Sequence, residues 1–183
     1  MLSYQDGETE YPVRGRQCSS EQMPAIKAKF EDYNSFASAT LNQIYTPKLL
    51  EESISYEITS FASIYLENDG GKFTAKPLPQ LAQISNINKF VVHDFNGDKN
   101  LDVVLAGNLY NAEVETPRND ASFGLYLQGD GSGNFSARTM MESGLKIVGD
   151  VRGMELINIK GVPHLLVAKN DDKMQLVAVV AAN

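Results

Sequence analysis

Acidic and amide side chains occupy every second position of one short stretch in the middle of the chain. The stretch HDFNGDKNLDVVLAGN carries Asp94, Asn96, Asp98, Asn100 and Asp102. Residues of this kind weaken both helices and strands, because their side chains compete for backbone hydrogen bonds. They offer oxygen atoms instead, and oxygen atoms are the ligands that Ca²⁺ takes from proteins. The spacing therefore predicts a calcium loop.

The predicted ligand set suits a turn that wraps around one ion. The first, second, third and fifth residues of the series supply side-chain oxygens, and Asn100 supplies its backbone carbonyl. An EF-hand does not fit, because that loop requires Gly at position 6 and Glu at position 12. Here Gly97 is the fourth residue and Leu105 the twelfth. A hairpin loop rich in Asp and Asn that holds no ion is the alternative interpretation.

The bulk composition excludes some partners. The chain has 183 residues, of which 16 are basic and 23 acidic, and its formal net charge is −7. A nucleic-acid partner is not expected, because phosphate binding requires a basic face. No apolar run is long enough to predict a membrane span, and the first residues show no pattern typical of a signal peptide. Cys18 is the single cysteine, so no internal disulfide is possible.

The predicted secondary structure that positions these residues changes along the chain from helices to strands. Residues 15–56 are predicted to be helical, with Ser19 as one helix cap and with Thr46 and Pro47 beginning another helix. After about residue 57, short β-branched and aromatic runs alternate with Gly, Asp and Asn turns, which indicates an antiparallel sheet. The fold class is therefore mainly β.

An internal repeat organises the β part. The segment SIYLENDGGKFTAKPL at 63–78 matches GLYLQGDGSGNFSART at 124–139, and residues 1–12 match 104–117 less cleanly. These matches predict a single domain over 1–183, with the helices inserted in the first of three consecutive four-stranded units.

Four short strands per unit are typical of a β-propeller blade. The second unit, 84–140, is complete and carries the calcium loop. The first unit and the last, 147–183, are incomplete. We therefore predict a partial β-propeller with a helical insertion at 15–56, in which Tyr65, Tyr126, Phe73 and Phe135 belong to the blade core.

The motif DFNGDKNLDVVLAGN resembles the core of FG-GAP/VCBS repeats, which also form the propellers of integrin α-subunits. Together with EYPVRGRQCSSEQMP, TSFASIYLEN and RNDASFGLYLQGDGSGNF, it resembles the C-terminal propeller region of large bacterial VCBS-repeat proteins related to the ASPIC/UnbV group. The resemblance covers nearly the whole chain. It implies a secreted or cell-surface protein without catalytic activity. The last unit has NIKGVP at the corresponding turn, so no calcium site is carried over there.

The sequence is compatible with two functions. One is a non-enzymatic, calcium-binding scaffold or adhesion module within a larger protein, and the other is a glycan-binding or glycan-processing accessory domain. The two histidines, His93 and His164, lie far apart in the sequence, and Cys18 has no sequence-placed histidine beside it. An ion pair between Arg118 and Asp120 is expected to orient a loop.

The strands that are missing from the first and last units predict the partners of the chain. Open blade faces and the unpaired edge beside MQLVAVVAA, residues 174–182, predict contact with the rest of a parent protein or self-association. A protein or glycan ligand is the further expectation.

Overall fold

The computed structural model describes residues 1–114 and 116–180 and has a mainly β fold, as the sequence predicts. Strands account for 36% and helices for 18% of the chain, and none of the antiparallel sheets among the described residues is closed. The elements in chain order are β1 (Ser3–Asp6), β2 (Thr9–Pro12), α1 (Arg16–Gln22), α2 (Ala25–Lys29), α3 (Tyr33–Ala37), α4 (Leu41–Ile44), α5 (Pro47–Glu51), β3 (Ile64–Asp69), β4 (Lys72–Pro77), a 3₁₀ turn (Gln80–Ala82), β5 (Ile87–His93), β6 (Asp102–Gly107), β7 (Leu125–Gly129), β8 (Phe135–Arg138), α6 (Met140–Ser143), β9 (Val151–Ile159), β10 (Val162–Lys169) and β11 (Gln175–Ala178).

The chain divides into two compact units, Met1–Thr59 and Ser60–Asn183. In the N-terminal unit, β1 and β2 form a hairpin of their own. The sequence placed residues 1–12 in one four-stranded unit with 63–78, and this stays a prediction; in the structure β1 pairs with β2, and β3 pairs with β4. The β1–β2 hairpin has a local cause. Gly7 has a φ of 61°, which permits a tight turn that folds β2 back on β1.

The predicted helical span contains helices α1 to α5. Thr46 caps α5 with its side chain and Pro47 follows at the helix start, as predicted. The cap predicted at Ser19 is wrong: α1 begins earlier, at Arg16, and Ser19 lies inside the helix with its hydroxyl donating to the Arg14 carbonyl at 3.3 Å. The helices bury a small apolar core made of Ile26, Phe36, Ala39 and Ile44.

Arg16 ties two of these helices together. Its side chain is nearly buried. The guanidinium donates hydrogen bonds to the backbone carbonyls of Lys27, Phe30 and Glu31, at 3.4, 2.6 and 3.1 Å. These carbonyls lie at and just beyond the end of α2, where helical partners are lacking. Arg16 therefore satisfies the C-terminal end of α2 from within α1.

Among its described residues, the C-terminal unit contains three antiparallel sheets. The complete one has the order β5-β6-β7-β8 and spans the region predicted as a complete unit. The next has the order β11-β10-β9, with turns at the predicted positions: Lys160 and Gly161 both have positive φ, and so does Asp171. Residues 181–183 of the predicted last unit lie outside the described residues.

The middle sheet carries apolar residues on both faces. On one face, Val104 and Ala106 pack in a buried cluster with Val151, Leu165 and Val167 of the third sheet. On the other face, a second buried cluster is formed by Ala82, Leu105, Leu125 and Leu127, with Leu78 packed against it. The middle sheet therefore packs face to face on the third sheet, and Leu78 and Ala82 of the β4–β5 connection cover its other face.

None of the described helices is long and apolar enough to cross a membrane.

Candidate functional site

The predicted calcium loop lies at the turn between β5 and β6. These strands pair antiparallel, and their last pair joins His93 to Asp102. Gly97 and Lys99 have positive φ, at 81° and 71°, so the chain reverses through two left-handed residues. Only Gly adopts that conformation without a steric cost. The β5–β6 hairpin thus presents the loop at the exposed end of the middle sheet.

The first three side chains of the series fold back onto the loop's own backbone. The Asp94 carboxylate accepts hydrogen bonds from the N–H groups of Gly97 at 2.7 Å and Lys99 at 2.9 Å. The Asn96 side-chain oxygen accepts from the Asp98 N–H at 2.9 Å. Such bonds are the usual way in which Asp and Asn shape a turn.

Asp98 is the exposed carboxylate at the centre of the loop. Its two oxygens accept from the Asn100 N–H at 2.8 Å and from the Asn96 amide at 2.9 Å. The backbone bond from Asn100, followed by the side-chain bond from Asn96, holds the pKa of the Asp98 carboxyl below its usual value. Asp98 is therefore ionised at neutral pH and faces solvent.

Asp102 differs from the rest of the series because it is fully buried. One carboxylate oxygen accepts from the Gly129 N–H at 2.9 Å, and the other accepts from the Phe95 N–H at 3.0 Å and the Tyr126 hydroxyl at 2.8 Å. Burial and the bond to Asp102 raise the pKa of Tyr126 well above its usual value. Asp102 therefore anchors the loop to β7 as an internal acceptor.

The donor set fits Ca²⁺ in its chemistry, because it consists of oxygen atoms alone. Asp94, Asn96 and Asp98 are the side chains the loop could offer, together with the Asn100 carbonyl. Asp102 already accepts three bonds of the roughly four that a carboxylate accepts, so it could add one contact. Among residues 1–114 and 116–180, no group of three or more His, Cys, Asp or Glu side chains is arranged to hold a metal ion. The predicted site thus depends on amide and backbone oxygens as much as on carboxylates.

Asn100 contacts the neighbouring turn between β7 and β8. A Cβ atom built on Gly131 would lie 2.5 Å from the Asn100 side-chain oxygen. A residue with a side chain at this position would force the Asn100 side chain to shift. The predicted calcium loop and the β7–β8 turn are therefore packed directly against each other.

The other candidate residues lie in separate places. The His93 ring packs edge-on against Phe95 at 5.3 Å between centroids. The Nδ1 atom of His164 lies 2.8 Å from the Val162 carbonyl. Arg118 forms the expected ion pair with Asp120 at 2.8 Å. These contacts fix side-chain orientations within single loops and strands.

A buried polar cluster between the second and third sheets was not predicted from the sequence. Asn108 donates through its amide to the carbonyls of Ser122 and Gly149, and its oxygen accepts from the Ser85 hydroxyl at 2.7 Å. Asp150 is fully buried, and one of its oxygens accepts from Arg152 at 2.9 Å. Its other oxygen has no hydrogen-bond partner. The sequence does offer one sign of this cluster: an asparagine, Asn108 or Asn170, follows the second strand of each sheet.

These two asparagines occupy equivalent positions. The Asn108 N–H donates to the Asn86 carbonyl at 3.0 Å, and the Asn170 N–H donates to the Asp150 carbonyl at 2.8 Å. The same backbone bond thus joins the ends of the first two strands in both sheets.

A shallow cleft of about 220 Å³ lies between the β3–β4 hairpin and the β7–β8 turn. Tyr65 and Phe135 pack edge to face in its wall, with ring centroids 5.4 Å apart. Lys76 lines the cleft and forms an ion pair with Glu67 at 2.9 Å. The cleft combines aromatic faces with a charged pair.

Comparison with protein-family models, with curated proteins and with solved structures gives no match to this chain. The resemblance to FG-GAP/VCBS repeats therefore rests on the motif and the repeat pattern alone, and it stays a prediction.

Proposed function

We propose that the chain is a non-enzymatic, calcium-binding scaffold that serves as an interaction or adhesion module of a secreted or cell-surface protein. The observation that carries the proposal is the β5–β6 loop. It brings the oxygens of Asp94, Asn96 and Asp98 into one exposed turn, and Asp102 fixes the end of that turn to the middle sheet. A bound cation would offset the repulsion between neighbouring carboxylates.

The proposed architecture is a partial propeller of FG-GAP type. In support of it, the sheets of the C-terminal unit are antiparallel, the middle and third sheets pack face to face, and the repeated backbone bond of Asn108 and Asn170 joins equivalent strand ends. The loop lies at the turn between the first two strands of the four-stranded sheet, which is where the resemblance implies it.

The proposal is binding and not catalysis. The two histidines make separate local contacts, and Cys18 accepts a contact from Gln22 at 4.0 Å within α1. Catalysis by acid, base or nucleophile needs such groups to converge on one site.

Thermal unfolding with and without calcium tests the proposal. Binding to the folded state alone raises the free energy of unfolding by about 2.7 kcal/mol at a hundredfold excess of ligand over Kd. Millimolar calcium should therefore raise the melting temperature, and EDTA should reverse the rise. Asp98→Ala should abolish the difference between the two conditions.

Asp130→Ala is the matched control. Asp130 is also an exposed turn carboxylate, and it accepts from Ser132 and Asn134. It lies outside the predicted ligand set, so its substitution should lower the melting temperature while leaving the calcium effect intact. A wild-type melting curve that calcium leaves unchanged would show that the loop is a hairpin turn without an ion.

The cleft favours a second candidate function, which is glycan binding. Sugar rings pack against aromatic faces such as that of Tyr65 while charged groups bond to their hydroxyls, and Lys76 and Glu67 are placed beside it. A glycan array with and without EDTA separates the two functions. Binding that Tyr65→Ala removes and EDTA leaves unchanged would favour the glycan function over the calcium scaffold.

A further inference from the structure

The turn between β5 and β6 contains two neighbouring residues that can react with each other. Asn96 and Gly97 are both exposed, and they form the one Asn-Gly pair in the sequence. The Gly97 nitrogen can attack the side-chain amide carbon of Asn96 and close a succinimide ring. Groups held a few bonds apart react as if they were highly concentrated, provided that the chain between them can bring them together.

The local backbone leaves room for this ring closure. Neither residue belongs to β5 or β6, so the Gly97 nitrogen takes no part in the pairing of these strands. Gly97 has a φ of 81° and carries no side chain that would block approach to its nitrogen. A Cβ atom built on it would meet nothing within 4 Å. The pair is therefore open to solvent and free of steric obstruction.

The polar contacts of the pair match the charges that develop during ring closure. Negative charge develops on Asn96 Oδ1 when the amide carbon is attacked, and this oxygen accepts from the Asp98 N–H at 2.9 Å. The Gly97 N–H must give up its proton, and it donates to the Asp94 carboxylate at 2.7 Å. The leaving nitrogen, Nδ2 of Asn96, donates to the Asp98 carboxylate at 2.9 Å. The loop therefore holds the reacting amide and the attacking nitrogen by hydrogen bonds that favour the reaction.

Two other exposed turn asparagines lack this combination. Asn68 and Asn134 are each followed by a residue with a side chain. The Asn68 side-chain oxygen accepts from the Gly71 N–H at 2.9 Å, and the Asn134 amide donates to Asp130 at 2.7 Å. Both are thus suitable internal references for the reactivity of Asn96.

We propose that Asn96 is a site of spontaneous deamidation in the folded protein. The Gly97 nitrogen forms a bond to the Asn96 amide carbon, and its proton passes to water. The bond from that carbon to Nδ2 breaks, and Nδ2 takes up a proton from water and leaves as ammonia. One water molecule then opens the succinimide at either carbonyl. The product is an aspartyl residue at position 96 or an isoaspartyl residue, in which the main chain runs through the former side chain.

Either product changes the loop permanently. A neutral amide becomes a carboxylate, so the formal net charge becomes one unit more negative than −7, and the new charge lies beside Asp98. The isoaspartyl product also inserts a methylene into the main chain before Gly97. This insertion alters the spacing by which Asp94 accepts from both Gly97 and Lys99. The reaction needs no metal ion, so this inference does not depend on the proposed calcium function.

Peptide mass spectrometry of the aged full chain tests the inference. The protein is incubated at neutral pH in EDTA, so that no calcium is bound, and is then digested with trypsin. The peptide 90–99 contains Asn96 as its one asparagine. Its mass should increase with time by the difference between an amide and an acid, and the product should separate into aspartyl and isoaspartyl forms. In water labelled with heavy oxygen, one labelled atom should enter each converted peptide.

Two substitutions test the roles of the pair. Gly97→Ala should slow the conversion at least about tenfold, because the new methyl group hinders ring closure. Gly71→Ala is the matched control, since Gly71 has a φ of 94° and its added Cβ also meets nothing within 4 Å. This variant carries a similar backbone strain outside the loop and should convert like the wild type. Asn96→Gln replaces Gly97→Ala if the latter fails to fold by circular dichroism, and its longer side chain should abolish the conversion.

The distribution of the conversion decides the outcome. Conversion at Asn96 that exceeds conversion at Asn68 and Asn134 in the folded chain supports the inference. Equal conversion at the three residues overturns it, and so does a Gly97→Ala variant that converts at the wild-type rate. If the chain unfolded in urea converts at Asn96 and the folded chain does not, the loop protects Asn96 and the inference is wrong.

Discussion

The β3–β4 and β7–β8 hairpins have nearly the same sequence pattern and different surroundings. Each has a Tyr that faces the next sheet, followed by an Asp-Gly turn. Yet Leu127 is buried, whereas its counterpart Leu66 is half exposed. This difference shows that the burial of these leucines depends on what packs against each hairpin and not on the hairpin's own residues. Substitutions at matched positions should therefore have unequal effects.

The largest difference in stability is expected at Asp102, whose carboxylate accepts hydrogen bonds from the β7–β8 hairpin. Asp102→Ala leaves the N–H groups of Phe95 and Gly129 and the Tyr126 hydroxyl without their acceptor. Unmade bonds of buried groups cost about 1–3 kcal/mol each, so we expect a loss of about 4 kcal/mol in the free energy of unfolding. Urea denaturation measures it. Asp69→Ala, at the end of β3, should change the stability by less than about 0.5 kcal/mol, and equal losses would refute the anchoring role.

The next largest difference concerns the matched leucines. Leu127→Ala should lower the free energy of unfolding by about 3 kcal/mol, because it opens a cavity in a closed core. Leu66→Ala should cost less than about 1 kcal/mol, because its side chain is already in contact with water. Urea titration of both variants under dilute conditions measures the two losses. A Leu66→Ala loss as large as that of Leu127→Ala would mean that Leu66 is buried in solution.

A smaller difference is expected at the matched turn glycines. Gly70 and Gly131 both have positive φ, at 59° and 76°, and a residue with a side chain costs about 1–2 kcal/mol in that conformation. The new Cβ meets nothing at Gly70 but lies close to Asn100 at Gly131. Gly131→Ala should therefore be the more destabilising of the two by a few tenths of a kcal/mol. Thermal melts in parallel check this, and a reversed order would argue against the packing of the two turns.

A separate effect, seen only at high pH, is expected in alkaline solution. The pKa of Tyr126 is raised in the folded protein by burial and by Asp102, so the unfolded chain loses the proton first. The stability contributed by neutral Tyr126 is then fully present below about pH 10, the ordinary tyrosine pKa, and is lost as the pH rises above it. The free energy of unfolding should fall less steeply in Tyr126→Phe than in the wild type. Parallel slopes above pH 10 would contradict the shift.

Much of the sheet structure was predictable from the sequence, because strand patterns and turn residues act locally. The strands around Val104, Leu127 and Leu165 are short, mostly apolar runs bounded by Gly, Asp and Asn. The turn at Lys160-Gly161 has the left-handed residues that a tight hairpin needs. The Thr46–Pro47 helix start depends on neighbouring residues only. Each of these elements is decided within a few residues, so sequence patterns suffice.

The features that the sequence did not predict depend on distant partners. Asp102 continues the alternation of Asp94 and Asp98, but its hydrogen-bond donors belong to β7 as well as to the loop. Nothing in the spacing separates a buried acceptor from an exposed one. The cluster of Asn108 and Asp150 is hidden for the same reason, since it forms only where two sheets meet. The misplaced cap at Ser19 shows the limit of local signals when tertiary packing buries the residue.

The Asp102 carboxylate also has a spectroscopic consequence. Two backbone amides far apart in the chain, those of Phe95 and Gly129, donate to one buried group. Their hydrogens exchange with solvent only when the group is released, so both should exchange slowly and at matching rates. A movement of the loop would change the resonances of both amides together. The two amide resonances therefore report on the conformation of the loop, and NMR can follow them without any label attached to the loop itself.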